Sequence, residues 1–208
     1  SCAACHGSHQ ILSHEDPKSR MSRQLQPLVC GKCHGKDDFN EAQGILRRGM
    51  VTKYKSSVHF KAIEAGKKGA SCTDCHNHHT IQPAKFENST VKRSAITKMC
   101  SNCHEKQSRD YLISSHGQAL EHGSYDVPNC TSCHGDHDMV SIKGRKDIQW
   151  ISFQQCVCMN CHENERMMAR YGLDTVPVKS YKKDYHGLAR MGSSTDSALC
   201  SDCHDPHK

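Results

Sequence analysis

The chain has 208 residues, of which 35 % are hydrophobic and 5 % aromatic, and its mean hydropathy is −0.75. Such composition supplies too little apolar surface for an ordinary core, whereas 15 cysteines and 17 histidines indicate a chain held by disulfides, metals or a large cofactor. No run of about 18 apolar residues occurs, so no transmembrane segment is expected. The formal charge of +6 alone would suit an anionic partner such as nucleic acid.

The pattern Cys-x-x-Cys-His begins at Cys2 and occurs seven times. This is the attachment site of c-type haem, in which both thiols add to porphyrin vinyl groups and the histidine becomes the proximal iron ligand. A zinc site does not explain a histidine after every second cysteine, and a disulfide scaffold would scatter its cysteines. The predicted thioether residues are Cys2, Cys5, Cys30, Cys33, Cys72, Cys75, Cys100, Cys103, Cys130, Cys133, Cys158, Cys161, Cys200 and Cys203, and the predicted proximal ligands are His6, His34, His76, His104, His134, His162 and His204.

Two kinds of motif alternate along the chain. The motifs at Cys2, Cys72, Cys130 and Cys200 continue as Cys-His-x-x-His. The next, plain motif begins 21 positions after the last histidine of each of the first three. This constant phase indicates a repeat. We predict a half-module with one haem at residues 1–29 and two-haem modules at 30–99, 100–157 and 158–208, which together form one continuous haem-packed unit.

Each module has the element Tyr-x4-His-x2-Ala between its two haem motifs, and its histidine is here called the inner histidine. Around His116, Tyr111 and Leu120 share one helical face and Gly123 suits a C-cap, which predicts a short helix that presents the histidine to a neighbouring iron. A Cys-His-x-x-His histidine lies too close in sequence to reach the opposite face of its own haem. The repeat therefore predicts one distal iron ligand for each haem: His9, His59, His79, His116, His137, His186 and His207.

A few residues fall outside the repeat. His14, His78 and His122 are expected to face solvent or haem propionates, with His14 and His78 as reserve ligands. The spacing selects Cys158 as the partner of Cys161, so Cys156 is expected to be a free, buried thiol; an intermolecular disulfide or an additional haem bond stays open.

With these motifs the chain resembles the multihaem c-type cytochromes over its full length. The alternation of plain and extended motifs is similar to that of respiratory electron conduits and extracellular cytochrome filaments. The resemblance implies mostly irregular coil with short α-helices, little or no β structure, and seven covalent haem c groups as the core. It also implies haem attachment in the periplasm or outside the cell. The negative charge of such haems nearly cancels the +6, so nucleic acid is not expected as a partner.

Every proximal position is histidine, and a distal histidine is available for each iron, whereas multihaem reductases leave one iron open. We therefore expect electron transfer through closely packed bis-histidine haems, with no catalytic residues. Redox proteins or further copies of the chain, through haem-to-haem contact, are the expected partners. A multihaem oxidoreductase and a haem subunit of a quinol-oxidising membrane complex stay open as alternatives.

The first motif differs from the other Cys-His-x-x-His motifs because no inner histidine precedes it, and only Lys208 follows His207. We expect residues 1–208 to belong to a longer repeat array. The first haem would then take its sixth ligand from sequence before Ser1, from a neighbouring subunit or from His14.

Overall fold

The computed structural model describes residues 1–45, 47–142 and 148–208, and its regular elements are short α-helices. Within these ranges there is no strand, and roughly half of the residues are helical. This confirms the predicted class of short helices joined by irregular segments. The helices are α1 (Cys2–His6), α2 (Gln26–His34), α3 (Asp37–Ala42), α4 (Met50–Ser56), α5 (Val58–Glu64), α6 (Cys72–His76), α7 (Ile96–Ser101), α8 (Glu105–Ile113), α9 (Ser115–Glu121), α10 (Cys130–His134), α11 (Ile148–His162), α12 (Glu165–Arg170), α13 (Val176–Tyr181), α14 (Tyr185–Met191) and α15 (Cys200–Cys203).

The chain forms two compact units. The first comprises Ser1–Glu105 with Pro128–Val140, and in it α2 packs against α1, α3 and α4, while α7 packs against α10. The second comprises Lys106–Val127 with Ser141–Lys208, and in it α11 packs against α12 and α15, while α13 packs against α14. In the described ranges no helix has the length and apolar character needed to cross a bilayer.

Few apolar side chains are buried. Ile11 and Ile81, which each follow a Cys-His-x-x-His histidine by two residues, are 63 % and 57 % exposed. Serine, threonine and asparagine side chains make up most of the buried polar positions. Apolar packing between protein side chains therefore contributes little to holding the helices together. The buried apolar residues in the described ranges are Phe60, Ile63, Ile96, Tyr111, Val127, Met168 and Leu199.

The segment around His116 forms two helices, not the single helix that its periodicity predicts. Helix α8 ends at Ile113, and Ser114 has extended backbone angles and caps α9 by accepting a hydrogen bond from the Gly117 N–H at 3.1 Å. Gly123, with φ of 85°, follows the end of α9 in the left-handed conformation expected there. The tyrosine and the inner histidine therefore lie on consecutive helices.

The same break occurs in the other two modules. Ser57 separates α4 from α5 and accepts a hydrogen bond from the Phe60 N–H at 3.3 Å. Asp184 precedes α14 and accepts one from the Gly187 N–H at 2.9 Å. A capping residue two positions before each inner histidine thus starts the helix that carries it.

The helices of three Cys-His-x-x-His motifs also share one kind of cap. The residue before the first cysteine is buried, and its backbone N–H donates to the side chain of the third residue of the motif helix. This side chain fixes where the motif helix begins. The pairs are Ser71 to Asp74 at 2.6 Å, Asn129 to Ser132 at 3.1 Å and Leu199 to Asp202 at 2.7 Å.

The substitution Asp74→Asn is expected to lower the free energy of unfolding by about 1 kcal/mol at neutral pH, because Asp74 also binds Arg23 at 2.6 and 3.2 Å. Burial alone would raise the pKa of Asp74, but hydrogen bonds from Ser71 and the charge of Arg23 lower it below the ordinary 3.8. The stabilisation is thus complete above the ordinary value and is lost as the pH falls through the lower folded pKa. Guanidinium denaturation of the haem-loaded chain at several pH values measures the difference.

Asp202→Asn is the matched control, since Asp202 forms the same backbone cap and no ion pair with arginine within the described residues. Its loss is expected to be smaller. An equal loss for both variants at neutral pH, or a loss at Asp74 that persists in acid, would contradict this account of the cap.

Candidate haem sites

Each Cys-x-x-Cys-His motif lies at the carboxyl-terminal end of a short helix or directly beyond it. One helical turn brings the two cysteines to the same side of the helix, and the histidine follows at the helix end. The chain thus offers two neighbouring thiols and one imidazole at each motif. Helices α1, α2, α6, α10 and α11 end on the motif histidine itself, and α7 and α15 end within the motif.

Four of the predicted distal histidines lie opposite a motif histidine. Two imidazoles bound to opposite faces of one iron, through bonds of about 2 Å, have ring centres about 6 Å apart. The observed pairs have this separation, so the residues present fit a haem iron with two axial histidines. The distances between ring centres are 6.2 Å for His6 and His79, 6.2 Å for His59 and His104, 5.9 Å for His76 and His137, and 6.0 Å for His116 and His162.

The other predicted ligands differ in their surroundings. The ring of His34 contacts Phe39 at 5.6 Å and that of His186 contacts Tyr185 at 5.7 Å. Among the described residues, no second histidine ring faces His34, His186 or the exposed His9 and His204. The half-buried His134 and His207 both have contacts of their own.

The histidine that lies opposite the first motif histidine is not one of those expected from the sequence. His79 lies opposite His6, rather than a residue outside the chain or His14, which is exposed. The reserve candidate His78 packs edge-on against His79 at 4.9 Å and does not face a motif histidine. His122 bonds the Gln118 carbonyl at 2.6 Å.

Burial keeps several of these imidazoles neutral, which is the form that binds iron. It lowers the pKa of His76 to about 4, with smaller contributions from His137 and His34, and it lowers the pKa of His59 and His116 as well. A neutral imidazole has a free lone pair for the metal.

The first cysteines of the two motifs within each module contact one another. A hydrogen bond between thiols joins Cys30 to Cys72, and it lowers the pKa of Cys30 to about 7 while raising that of Cys72. Because these sulfurs are predicted haem attachment points, the predicted attachment points of two successive haems lie side by side in each module. The same contact joins Cys100 to Cys130 and Cys158 to Cys200.

Comparison with known proteins agrees with this geometry. A family model for cytochrome c7 and related cytochrome c matches residues 53–135, which contain the motifs at Cys72, Cys100 and Cys130. The multiheme cytochrome MtrA of Shewanella baltica (strain OS185) is 25 % identical over 174 residues. These similarities and the seven motifs support a multihaem c-type cytochrome.

The match to MtrA covers 79 % of this cytochrome and 43 % of MtrA, so the chain spans less than half the length of that relative. No solved structure matches the chain. Electron transfer is the general activity that these relationships support.

The tyrosine of the inner-histidine element has a role in this cytochrome that sequence reasoning missed. The Tyr54 hydroxyl donates to the Ala70 carbonyl at 2.8 Å, and that of Tyr181 donates to the Ala198 carbonyl at 2.9 Å. Burial raises the pKa of both hydroxyls. Each tyrosine thus attaches its helix to the backbone two residues before a haem motif. The constant spacing between the tyrosine and the inner histidine was the sequence signal that could have indicated this role.

One predicted distal histidine has a carboxylate partner. The Nδ1 atom of His137 lies 3.1 Å from Asp136, so Nδ1–H donates to the carboxylate and Nε2 is left for iron. Arg47 forms an ion pair with Asp136, and Lys53 lies 3.5 Å from Asp138. The Val58 N–H donates to the Met139 carbonyl at 2.8 Å, which fastens the same loop to the start of α5.

Cys156 is exposed, which corrects the expectation that it is buried. It lies on α11 two residues before Cys158, and residues two apart face different sides of a helix. Cys158 is directed toward Cys200, and Cys156 is therefore directed elsewhere.

The substitution Asp136→Asn is expected to raise the reduction potential of one haem by tens of millivolts. A neutral amide draws less proton density from His137, whose imidazole then stabilises ferric iron less. Arg47→Met is expected to have the opposite effect, because it leaves the carboxylate charge uncompensated. Spectroelectrochemical titration of the haem-loaded cytochrome measures both shifts.

Asp138→Asn serves as the control, since Asp138 pairs with Lys53 and, among the described residues, forms no hydrogen bond to the ring of His137. A lowered potential after Asp136→Asn, or equal shifts at the two aspartates, would show that the Asp136 contact does not tune this site.

Proposed function

We propose that this cytochrome conducts electrons through seven covalently bound c-type haems, each held between two histidines, as a respiratory or extracellular conduit. The observation that carries the proposal is the recurrence of paired histidine rings at 5.9 to 6.2 Å, in which every pair contains one motif histidine. Iron with two histidine ligands changes between its ferric and ferrous states at low potential and has no position open for substrate.

The chain's own residues support this use in two ways. Burial lowers the pKa of His76, His59 and His116 and keeps these imidazoles in the neutral form that binds iron in both redox states. The contacts of Cys30 with Cys72, and of their counterparts in the other modules, favour close packing of successive haems.

A non-enzymatic role fits these features better than catalysis. A reductase needs an iron with an open position, and all seven motifs supply histidine with a repeat-selected histidine available for each. Four of those second histidines already lie opposite a motif ring.

Charge supports a protein partner for electron exchange. Residues 47–68 contain seven basic residues and one acidic residue, and all of these charged side chains are exposed. Such a segment attracts a redox protein with an acidic surface, and the attraction weakens with salt. Further copies of the chain are the other proposed partner. Because c-type haems are attached outside the cytoplasm in the cytochromes that the chain resembles, we place it in the periplasm or at the cell surface.

The denatured, haem-loaded chain is expected to exceed the 23.3 kDa polypeptide by seven haem masses. Reduced native protein is expected to leave carbon monoxide unbound at neutral pH, because every iron has two protein ligands. Mass spectrometry and a carbon monoxide difference spectrum measure the two properties on one sample.

A smaller mass would mean that at least one motif carries no haem. A carbon monoxide spectrum equal to one haem or more would favour the reductase reading. Acid-treated protein, in which protonation releases distal histidines, is the positive control for carbon monoxide binding.

A further inference from the structure

The paired histidines come from different modules, in a fixed order. Two of the Cys-His-x-x-His histidines lie against the motif histidine of the preceding Cys-His-x-x-His motif: His79 faces His6, and His137 faces His76. His79 does not face His76, although only two residues separate them. This contact therefore runs backward along the chain.

The inner histidines follow the opposite order. His59 faces His104 and His116 faces His162, so these two inner histidines lie against the plain motif of the following module. The same order occurs in both compact units, since His59 and His104 lie in the first unit and His116 and its partner lie in the second.

Ring distance alone does not establish a shared iron, because ordinary aromatic pairs have centres about 4.5 to 7 Å apart. The kinds of histidine in each pair and the similarity of the four distances favour a shared iron over ordinary ring packing. Each of the four pairs joins one motif histidine to one repeat-selected histidine, and the four distances differ by 0.3 Å. The angles between ring planes range from 16° to 58°, which a common stacking preference would not produce.

We infer that the iron held by each of these four pairs joins two modules, with the paired inner histidines directed forward and the paired Cys-His-x-x-His histidines directed backward. Naming each haem by its first cysteine, His59 ligates the haem of Cys100 and His116 that of Cys158. His79 ligates the haem of Cys2 and His137 that of Cys72. This assignment rests on the proposed bis-histidine haems and adds which histidine serves which iron.

The assignment has a structural consequence. The haem of Cys100 is bound covalently by one module and axially by the module before it, so the iron–His59 bond closes a long loop of chain. Such a closure stabilises the folded chain by restricting its unfolded states. A module separated from its neighbours would lack ligands for its own irons.

Deleting one haem tests the assignment. The double substitution Cys100→Ala and Cys103→Ala gives a six-haem cytochrome. In the seven-haem cytochrome, His59→Ala is expected to create one carbon-monoxide-binding haem per chain; in the six-haem background it is expected to create none, because its iron is absent. His137→Ala is the matched control and is expected to create one such haem in both backgrounds.

The opposite results overturn the assignment. If His59→Ala opens a haem in the six-haem background, His59 serves another iron; if His137→Ala becomes silent there, His137 serves the haem of Cys100. The proposed function fails separately, when the seven-haem cytochrome without any histidine substitution binds carbon monoxide.

A second measurement tests the assignment without the six-haem variant, in case that variant does not fold. In the fully reduced, diamagnetic seven-haem cytochrome with isotope-labelled histidine, ring protons of His59 and His104 are expected to show NMR cross-relaxation to the meso protons of one common haem. Cross-relaxation of His59 with the haem of His76 or His34 would overturn the assignment.

Discussion

The approach of two histidine rings to about 6 Å, the separation that one iron with two axial histidines requires, is the contact on which the proposed haem sites of this chain depend. It joins segments that lie far apart in sequence, as in His6 with His79 and His59 with His104. The protein's own apolar side chains do not supply an alternative, because few are buried and residues such as Ile11 and Ile81 are exposed. A chain with this composition needs bonds to a cofactor to offset the entropy of ordering it, and the proposed iron–histidine and thioether bonds would supply them.

The local structure serves to bring those rings into position. A capping residue starts the helix of each inner histidine, and a tyrosine hydroxyl anchors the preceding helix next to a haem motif, as Ser57 and Tyr54 do in the first module. Caps such as Asp74 fix the start of the motif helix itself. These interactions are individually small, but each orients a proposed ligand whose bond to iron would be strong.

Much of the site could be predicted from sequence because the haem-binding residues occur in short motifs with fixed spacing. The Cys-x-x-Cys-His motif predicts the cysteine pairs and the motif histidines, and the constant spacing of the repeat predicts the distal candidates. Four of these candidates, such as His79, lie opposite a motif histidine, where a distal ligand is needed. Which ring faces which motif could not be predicted, because the repeat gives positions along the chain and the pairing depends on how modules stack. The break at Ser114 was missed for a related reason: Tyr111 and His116 keep helical spacing although an extended residue separates their helices. The contacts of Cys30 with Cys72 and of Cys100 with Cys130 left no signal, since the spacing between those cysteines varies.

Near-infrared magnetic circular dichroism of the fully oxidised cytochrome tests most directly whether histidine occupies both axial positions. Bis-histidine ligation of all seven haems predicts a single charge-transfer band of the low-spin bis-imidazole type, with the intensity of seven haems per chain. A histidine–methionine band, or a high-spin band with the intensity of one haem or more, would contradict it.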